Sequence, residues 1–419
     1  MDDLRVNVSR LLDRLGELAA IGAIEGTLGS SRLALTDEDR AGRDLVRTWM
    51  ADLGMEITID AIGNVTGTWR GAKTDASLAP VMTGSHIDTV ATGGRYDGNL
   101  GVLGGIEVVE TLARAGISPR RPIAVAFFTD EEGARFAPDM LGSLVYVGGM
   151  SVEEALDIEG VDGAILGDEL DRIGYRGPSP CPGPAPYAYI ELHIEQGPVL
   201  EATGTTIGAV ESVQGISWTE VTIAGQSNHA GTTPMDLRCD AGYVAARIAS
   251  FVRDLAVKIG GSQVGTVGAI DLHPNLVNVV AGGATMTVDL RNTDDATLVE
   301  AERQLGRYCD GLATEEGVTI ERRVLARFEP VEFDERLVDM VENAAKGLHH
   351  RVRRMPSGAG HDAQMFARLC PTAMIFTPSV GGLSHNPAEH TEPADIEAGA
   401  NVLLHTILRL AEEETCPDQ

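Results

Sequence analysis

The sequence predicts an α/β protein: a domain built on a mostly parallel mixed sheet, with an inserted ferredoxin-like α+β domain. Three observations lead to this fold class. Strand-like and helical patterns alternate in the first half of the chain. From residue 212 the order changes to strand–helix–strand–strand–helix–strand, and alternating α/β character returns after residue 332. The length of 419 residues suits about two domains. We expect one domain to comprise 1–211 and 332–419, and the other 212–331.

Two amphipathic helices are predicted at the start of the chain. Apolar residues recur at helical spacing between Leu4 and Gly22. A second helix is predicted over 36–54, where Thr36 can cap the first turn and Gly54 can end the last.

Three strand-like runs follow at 55–69, 79–90 and 121–133, and a helix is predicted between the last two at 101–116. A strand–helix–strand unit implies a right-handed crossover and parallel strands. Chemically interesting residues in the second and third runs would then lie beyond the carboxyl ends of strands, where open α/β sheets bind their ligands.

The rest of the chain is predicted from the same patterns. A Pro- and Gly-rich loop at 176–187 leads into a strand that begins at Tyr189. In the inserted domain we expect strands at 217–225, 261–274, 284–294 and 318–333 and helices at 240–260 and 295–317. After it we expect a helix at 334–348, a strand at 371–378 and a last helix from about Asp395.

Composition excludes several classes of partner. The formal charge of −29 argues against nucleic acid and anionic membranes as partners. The first residues, MDDLRVNVSR, do not resemble a secretory signal, and no apolar run reaches the ~18–20 residues that span a bilayer. Five scattered cysteines, the last of them Cys416, lack the spacing of a disulfide framework or of a thiolate zinc site. We therefore expect a cytoplasmic protein.

The string GSHIDTVATGGRYDGNLG contains the first candidate ligands. His86 and Asp88 flank one residue, and Asp97 follows in a Gly-rich loop. Imidazole and carboxylate suit zinc, manganese or cobalt, and the Asp88 carboxylate could orient the His86 ring. A lone HxD is more often a cap or a loop, so the metal hypothesis depends on the motifs that follow.

The string FFTDEEGARF ends an apolar strand with Asp130, Glu131 and Glu132. An isolated run of acids is usually a solvated turn. Three acids in one cleft repel each other by several kcal/mol unless a cation offsets them. One carboxylate could bind a metal while its neighbour acts as a general base.

Two further histidines lie in acidic surroundings. In ELHIEQGPVLE, strand alternation places His193 on the same face as Glu191 and Glu195. In GLSHNPAEHTE, His385 follows a strand and a Gly-rich turn. Each alone is more often a core or a loop histidine.

Two more strings contain polar groups beside glycines or a helix start. In SGAGHDAQMF, Gly360 permits close backbone approach, and His361 with Asp362 could orient a ligand from behind. In GQSNHAGTTPMDLRCDA, His229 lies in a polar, anion-friendly cluster before a helix.

Taken together, these strings resemble one family of proteins over nearly the whole chain. They are similar to the dinuclear metal amidohydrolases that include N-carbamoyl-L-amino-acid hydrolase, allantoate amidohydrolase and β-alanine synthase, relatives of aminoacylase- and carboxypeptidase-type metallopeptidases. The motifs that carry the resemblance occur in order: SHIDTV, GGRYDGNLG, EEGARF, LHIEQGPVLE, NHAGTTPM, PNLVNVV, VDLR, SGAGHDA and SHNPAE. One departure is NVVAGG, where the family often has Pro after the NV pair.

The resemblance implies two divalent metal ions per subunit, zinc or else manganese or cobalt. Asp97 would bridge them, His86 and His193 would complete one site, and Glu132 and His385 the other. The ions would share a hydroxide that attacks the ureido or amide carbon.

The resemblance also implies roles for residues around the metals. Glu131 would be the base that takes the proton from water and passes it to the leaving nitrogen. The inserted domain would serve as lid and homodimerisation domain, with His229 stabilising the oxyanion in the partner's site. The substrate would be held by Gln196, Asn278, Arg291 and the Gly360 backbone.

His193 bears on the choice within the superfamily. The peptidase relatives have an acid there, and histidine is typical of the branch that acts on ureido groups. Arg291 fits a clamp on a substrate carboxylate, although a strand-end arginine can instead pair with an acid of the chain. The expected function is hydrolysis of a non-peptide C–N bond in a small N-carbamoyl acid. The alternatives are an allantoate or ureidoglycolate amidohydrolase, an N-acyl amino acid deacylase or aminopeptidase, and a metal-binding scaffold without catalysis.

Overall fold

The computed structural model describes residues 3–414, so Cys416 lies outside the described residues. The chain divides into two compact units. The first unit comprises Met1–Glu211 and Glu332–Gln419, and the second comprises Ser212–Val331.

The strands and helices are numbered in chain order. The strands are β1 (Glu56–Ile59), β2 (Val65–Trp69), β3 (Val81–His86), β4 (Ile123–Phe128), β5 (Ala188–Ile194), β6 (Ile207–Val213), β7 (Gly215–Ala224), β8 (Asn228–His229), β9 (Val264–His273), β10 (Val279–Val280), β11 (Gly283–Asn292), β12 (Thr319–Phe328), β13 (Val331–Glu332), β14 (Val352–Ser357) and β15 (Thr372–Thr377). The α-helices are α1 (Val8–Ala19), α2 (Asp37–Asp52), α3 (Asn99–Arg114), α4 (Leu141–Tyr146), α5 (Val152–Leu156), α6 (Leu166–Ile173), α7 (Val199–Thr203), α8 (Ala241–Ile259), α9 (Asp295–Glu316), α10 (Glu335–Gly347), α11 (Asp362–Phe366) and α12 (Pro393–Glu412).

The first unit is built on a nine-stranded mixed sheet in the order β1-β2-β4-β3-β5-β15-β6-β13, with β14 paired to β6. The four central strands β4, β3, β5 and β15 run parallel to one another. Antiparallel pairs flank them, β1 with β2 and β2 with β4 on one side and β15 with β6 on the other. The predicted α/β class with a parallel centre is confirmed.

The parallel strands are buried along their whole length, as expected for a sheet covered on both faces. One group of helices, α1, α3, α10 and α12, packs together and onto β3 and β15. In a second group, α11 packs on α4, α4 on α5, and α5 on α6. Helix α4 contacts β4, and helix α11 contacts β5. Both groups of helices therefore pack against the strands that lead to the carboxyl edge of the sheet.

Both predicted N-terminal helices are present, and side chains cap them. The Asn7 side chain accepts a hydrogen bond from the Arg10 N–H at the start of α1. The Thr36 hydroxyl accepts one from the Asp39 N–H at the start of α2, which confirms the predicted cap. The predicted span 4–22 is longer than α1 because apolar residues of the flanking turns continue its pattern, and the predicted span 36–54 is longer than α2 because it includes the cap residue Thr36 and the stop residue Gly54.

The second unit is a four-stranded antiparallel sheet in the order β12-β7-β11-β9, with α8 and α9 packed against it. Its chain order β7-α8-β9-β11-α9-β12 is that of the ferredoxin-like fold. Buried residues of the strands and helices form one core, which includes Met286, Leu290, Ile248 and Leu305.

The sequence patterns did not reveal several short elements. The helices α4, α5, α6, α7 and α11 have five to eight residues each, and the strands β6 and β14 were also missed. Within residues 3–414, no helix combines the length and the hydropathy that crossing a bilayer requires.

Candidate metal centre

Five candidate ligands lie at one edge of the sheet, where the parallel strands end. His86 is the last residue of β3, and Asp97 lies in the loop between β3 and α3. Glu132 follows β4, His193 lies near the end of β5, and His385 follows β15. Because all four strands point the same way, residues separated by almost 300 positions converge.

Asp97 lies at the centre of this cluster, and its two oxygens face different partners. Oδ1 is 3.5 Å from His86 Nε2 and 3.2 Å from His193 Nε2. Oδ2 is 3.5 Å from His385 Nε2, which is also 3.1 Å from Glu132 Oε2. The five side chains thus form two groups that share one carboxylate.

Backbone carbonyls orient the two buried histidine rings. His86 Nδ1 is 2.9 Å from the Asp88 carbonyl oxygen, and His193 Nδ1 is 2.9 Å from the Ile194 carbonyl oxygen. With a proton on each Nδ1, both Nε2 atoms would be free to offer a lone pair to an ion held beside Asp97.

The expectation for the Asp88 carboxylate needs a correction. Its Oδ1 is 3.8 Å from His86 Nδ1, so the backbone carbonyl of Asp88 orients the ring instead. The carboxylate accepts the N–H groups of Glu131 and Glu132, each at 3.3 Å. Asp88 therefore fixes both the strand-end histidine and the turn that bears the two glutamates.

Glu131 adjoins the first group of ligands, with Oε2 3.4 Å from His86 Nε2. Burial raises the pKa of the Glu131 carboxyl well above its usual range; His86 opposes the shift, and Asp362 and Glu132 add to it. A buried carboxyl with a raised pKa suits a group that accepts and returns a proton.

The other members of the cluster balance one another in charge. Burial acts against ionisation of Asp97, but hydrogen bonds from His193 and His86 hold its pKa well below the usual value. The hydrogen bond from His385 to Glu132 raises the pKa of this histidine to about 9. Without another cation, the imidazoles are the groups that neutralise the carboxylates.

Close packing at this edge requires glycine. A Cβ on Gly98 would lie 2.4 Å from His86 Nε2, so any side chain there would displace the ring. His385 itself has a positive φ of 52°, a conformation uncommon for residues with a side chain.

These residues fit divalent metal ions. Ligand atoms of His86, Asp97 and His193 lie within 4.8 Å of one another, and so do those of Asp97, Glu132 and His385. Imidazole nitrogens and carboxylate oxygens are the donors that zinc, manganese and cobalt share.

Gln196 lies beside the shared carboxylate. Its Nε2 donates to Asp97 Oδ2 at 2.8 Å and is 3.2 Å from Ser384 Oγ. Its Oε1 is buried and accepts no hydrogen bond from any residue between 3 and 414. The amide is thus anchored through its nitrogen and offers a carbonyl acceptor.

The string around Gly360 lies behind the first group of ligands. The His361 ring packs edge-on against the His193 ring, with centroids 4.6 Å apart, and its Nε2 is 2.9 Å from Ser357 Oγ. Asp362 is fully buried. A Cβ on Gly360 would lie 2.8 Å from the Met140 side chain.

His229, Asn278 and Arg291 belong to the second unit. His229 is exposed. It pairs with Val279 in the two-stranded sheet of β8 and β10, and Asn278 directly precedes Val279. Arg291 forms a forked contact with Asp289, through Nε at 3.1 Å and Nη2 at 2.8 Å.

Sequence reasoning missed two residues that support the cluster. Glu389 accepts the N–H groups of Tyr96 and Asp97, and Ser384 Oγ is 2.9 Å from Asp97 Oδ2. Burial, followed by the Asp97 charge, raises the pKa of Glu389 to about 7. Both residues stand in the GLSHNPAEHTE string, which also contains two histidines and a second glutamate, so residue type alone does not single them out.

A shared carboxylate between two imidazole-containing groups, at the carboxyl edge of a parallel sheet and beside a buried glutamate, is typical of metal-dependent hydrolases. The sequence model of peptidase family M20/M25/M40 matches residues 82–409. The chain belongs to this family, and it is a hydrolytic enzyme.

Three relatives illustrate the similarity. The N-carbamoyl-L-amino-acid amidohydrolase of Rhizobium meliloti is 43% identical over 416 residues, 98% of each chain. The allantoate amidohydrolase of Escherichia coli K12 is 36% identical over 385 residues, 91% of this chain and 93% of that protein. The solved structure of an amidase of the hydantoinase/carbamoylase family from Burkholderia multivorans is 45% identical, with a TM-score of 0.95 over 98% of this chain and 100% of the other.

Proposed function

We propose that this enzyme hydrolyses the ureido group of an N-carbamoyl-L-amino acid and releases ammonia, carbon dioxide and the free amino acid. The observation that carries the proposal is the Asp97 carboxylate, whose oxygens face two separate ligand groups beside Glu131. The full-length similarity to the Rhizobium meliloti N-carbamoyl-L-amino-acid amidohydrolase supports this class of substrate.

Two divalent ions would be held by the five clustered side chains, one by the group of His86, His193 and Asp97 and the other by the group of Glu132, His385 and Asp97. When bound, such ions supply Lewis-acid activation of the water and of the substrate carbonyl. The identity of His193, where peptidase relatives have an acid, favours a ureido substrate over a peptide.

Glu131 moves the proton in the proposed reaction. Its carboxylate takes a proton from the attacking water, and the oxygen of that water bonds to the ureido carbon. The bond to the amino acid nitrogen then breaks, and Glu131 returns the proton to that nitrogen. The carbamic acid that remains decomposes to ammonia and carbon dioxide.

The proposed substrate contacts are the residues that the family resemblance implies. The Gln196 carbonyl can accept an N–H of the ureido group, because its amide nitrogen is already committed to Asp97. We assign the Gly360 backbone and Asn278 to substrate binding, His229 to oxyanion stabilisation, and Arg291 to the substrate carboxylate. That carboxylate would share the Arg291 guanidinium with Asp289.

We further propose that the enzyme is a cytosolic homodimer joined through the second unit, which also serves as a lid. The four described cysteines, Cys181, Cys239, Cys309 and Cys370, are free thiols, which suits a reducing compartment. Strand β9 ends the second unit's sheet and exposes Val264, Ile270 and Leu272, so a second copy could extend the sheet there.

The proposal is tested by ammonia release from a panel of substrates, with protein loaded in turn with zinc, manganese or cobalt. We expect the highest kcat/KM for N-carbamoyl-L-amino acids and little turnover of the D enantiomers. N-carbamoyl-β-alanine, allantoate and ureidoglycolate complete the ureido series.

Other outcomes would point elsewhere. Allantoate is the second candidate because of the 36% identity to the Escherichia coli allantoate amidohydrolase, and it would replace the first if it were turned over fastest. Faster release of amine from N-acetyl amino acids or dipeptides would indicate a deacylase or aminopeptidase. No turnover of any substrate by metal-loaded protein would indicate a scaffold.

A further inference from the structure

Two loops bring Asp97 and His385 together, and one buried glutamate connects them. Glu389 is only 2% exposed. Its Oε1 accepts the N–H groups of Tyr96 at 3.0 Å and Asp97 at 3.2 Å. Its Oε2 is 3.1 Å from the hydroxyl of Ser384, the residue that precedes His385. One carboxylate therefore binds the backbone of one ligand loop and a side chain of the other.

The Ser384 hydroxyl extends this connection to the Asp97 side chain. Its Oγ lies 2.9 Å from Asp97 Oδ2 and 3.1 Å from Glu389 Oε2. A hydroxyl has one proton to donate, so it can satisfy only one of the two carboxylates at a time. The Gln196 amide donates to the same Asp97 oxygen, which fixes the direction of the oxygen that faces His385.

The glycine of the neighbouring loop accommodates this glutamate. A Cβ on Gly94 would lie 2.1 Å from Glu389 Oε1, so any other residue there would expel the carboxylate. On the other side, the Val380 N–H donates to the His390 carbonyl at 2.9 Å and closes the loop that carries His385 and Glu389. The contact is thus built into both chain segments.

We propose that Glu389 is a positioning residue that holds the Asp97 and His385 loops at one separation and thereby sets the affinity of the centre for divalent ions. The inference rests on the metal centre proposed above. Glu389 acts through hydrogen bonds to Tyr96, Asp97 and Ser384 and is not itself assigned as a ligand. Partners of this kind typically change metal affinity by about 10–100-fold when they are removed.

Two replacements separate hydrogen bonding from packing. Glu389→Met keeps the approximate volume but offers no acceptor to the Tyr96 and Asp97 N–H groups. Glu389→Gln keeps one carbonyl acceptor for those groups, and its amide can donate to Ser384 Oγ. We expect the methionine variant to lose affinity by about 10–100-fold and the glutamine variant to recover most of that loss.

The measurement is the affinity of the full chain for zinc, by competition with a chelator, together with the number of ions bound per chain after dialysis. Glu107→Met is the control for the loss of a buried glutamate, since Glu107 is fully buried, accepts the Asn7 N–H at 2.8 Å and forms an ion pair with Arg10, but belongs to helix α3. The control should melt at a lower temperature and bind zinc as the unmodified chain does.

Unchanged zinc affinity in folded Glu389→Met would overturn the inference. If that variant does not fold, Glu389→Asp shortens the side chain by one carbon and withdraws the carboxylate from the Tyr96 and Asp97 N–H groups, and its unchanged zinc affinity would overturn the inference equally. A failure of the metal centre itself is distinguishable, because the unmodified chain would then bind no zinc.

Discussion

At the scale of single residues, the candidate centre is a set of compensating charges. The Asp97 carboxylate stays ionised because imidazoles surround it, and His385 holds a proton because Glu132 accepts its hydrogen bond. A divalent ion would take over the compensation that these protons provide. Binding of ions and loss of protons should therefore be coupled at this site.

The coupling predicts a pH dependence of metal affinity through His385, whose pKa is raised from 6.5 to about 9 in the metal-free protein. Below pH 9 an ion must displace its proton, so affinity should rise with pH up to that value by up to about tenfold per unit. The ion pair with Glu132 makes the stability of the metal-free protein change with pH in the opposite direction. Its stabilisation is fully present below pH 6.5 and is lost as pH rises through about 9.

Calorimetric titration of zinc at pH 7.5, in buffers of different ionisation enthalpy, measures the protons released. The matched variant is His385→Asn, which cannot titrate and should release about one proton fewer than the unmodified protein. Equal proton release from both proteins would show that His385 is not the coupled group.

Replacement of Glu131 tests the proton-transfer role. Glu131→Gln keeps the shape of the side chain beside His86 but cannot accept a proton. Turnover should fall by at least about two orders of magnitude, the usual scale for a general acid–base group. Ion content and melting temperature should stay near those of the unmodified enzyme, and near-normal kcat in a metal-loaded variant would contradict the assignment.

At the scale of secondary structure, a buried ion pair within helix α2 holds the arginine that connects this helix to the end of β4. Arg43 and Asp39 are fully buried, with Arg43 Nε 2.7 Å from Asp39 Oδ2. Arg43 also donates to the Gly63 carbonyl at 2.8 Å and to Thr129 Oγ1 at 3.2 Å. Thr129 directly precedes the turn of acids that includes Glu131.

Removal of this arginine should destabilise the first unit strongly. Arg43→Ala leaves Asp39 buried without its countercharge, at an expected cost of about 3–5 kcal/mol in the free energy of unfolding. The control is Arg40→Ala on the same helix, where the pair with Asp44 spans 4.0 Å and both side chains are 53% exposed; its cost should be about 1 kcal/mol or less. Urea unfolding decides, and similar losses in both variants would contradict the prediction.

The same scale shows how far the sequence predicts the structure. Long amphipathic helices such as α2 and α9, and the buried strands β3 and β4, have patterns that repeat often enough to identify. Helices of five to eight residues complete too few turns for such a pattern, so α4 and α11 depend on tertiary packing that periodicity does not reveal.

The candidate ligands could be anticipated for a related reason. Once β3 and β4 are taken as parallel neighbours, polar residues at their carboxyl ends must meet. Glu389 could not be found this way, because it acts on the backbone of a loop 292 residues earlier. The backbone carbonyl of Asp88, and not its carboxylate, orients His86. This depends on loop conformation, which residue identity does not specify.

At the scale of the whole molecule, the excess of acidic residues should make stability depend on salt. The chain has 62 acidic residues against 33 basic ones, so its net negative charge repels itself. Salt weakens this repulsion, because the screening length falls from about 10 Å at 0.1 M salt to about 3 Å at 1 M. We expect the melting temperature to rise between 0.05 and about 1 M potassium chloride. Sodium chloride should have the same effect, since screening depends on ionic strength. A melting temperature that falls with both salts would show that attractive ion pairs dominate.

Assembly is the last property of the whole molecule, and it bears on where His229 acts. If the enzyme is a homodimer and His229 serves the partner's site, His229→Ala and Glu131→Gln should each be inactive alone. In a mixed dimer, the site that keeps Glu131 on the His229→Ala chain receives an intact His229 from the other chain. Random mixing of the two after reversible dissociation should restore roughly a quarter of the normal turnover, because about half of the dimers are mixed and one of their two sites is complete. Each variant mixed with itself is the control. If His229 acts within its own chain, every site in the mixture lacks one of the two groups, and the mixture should stay as inactive as its components.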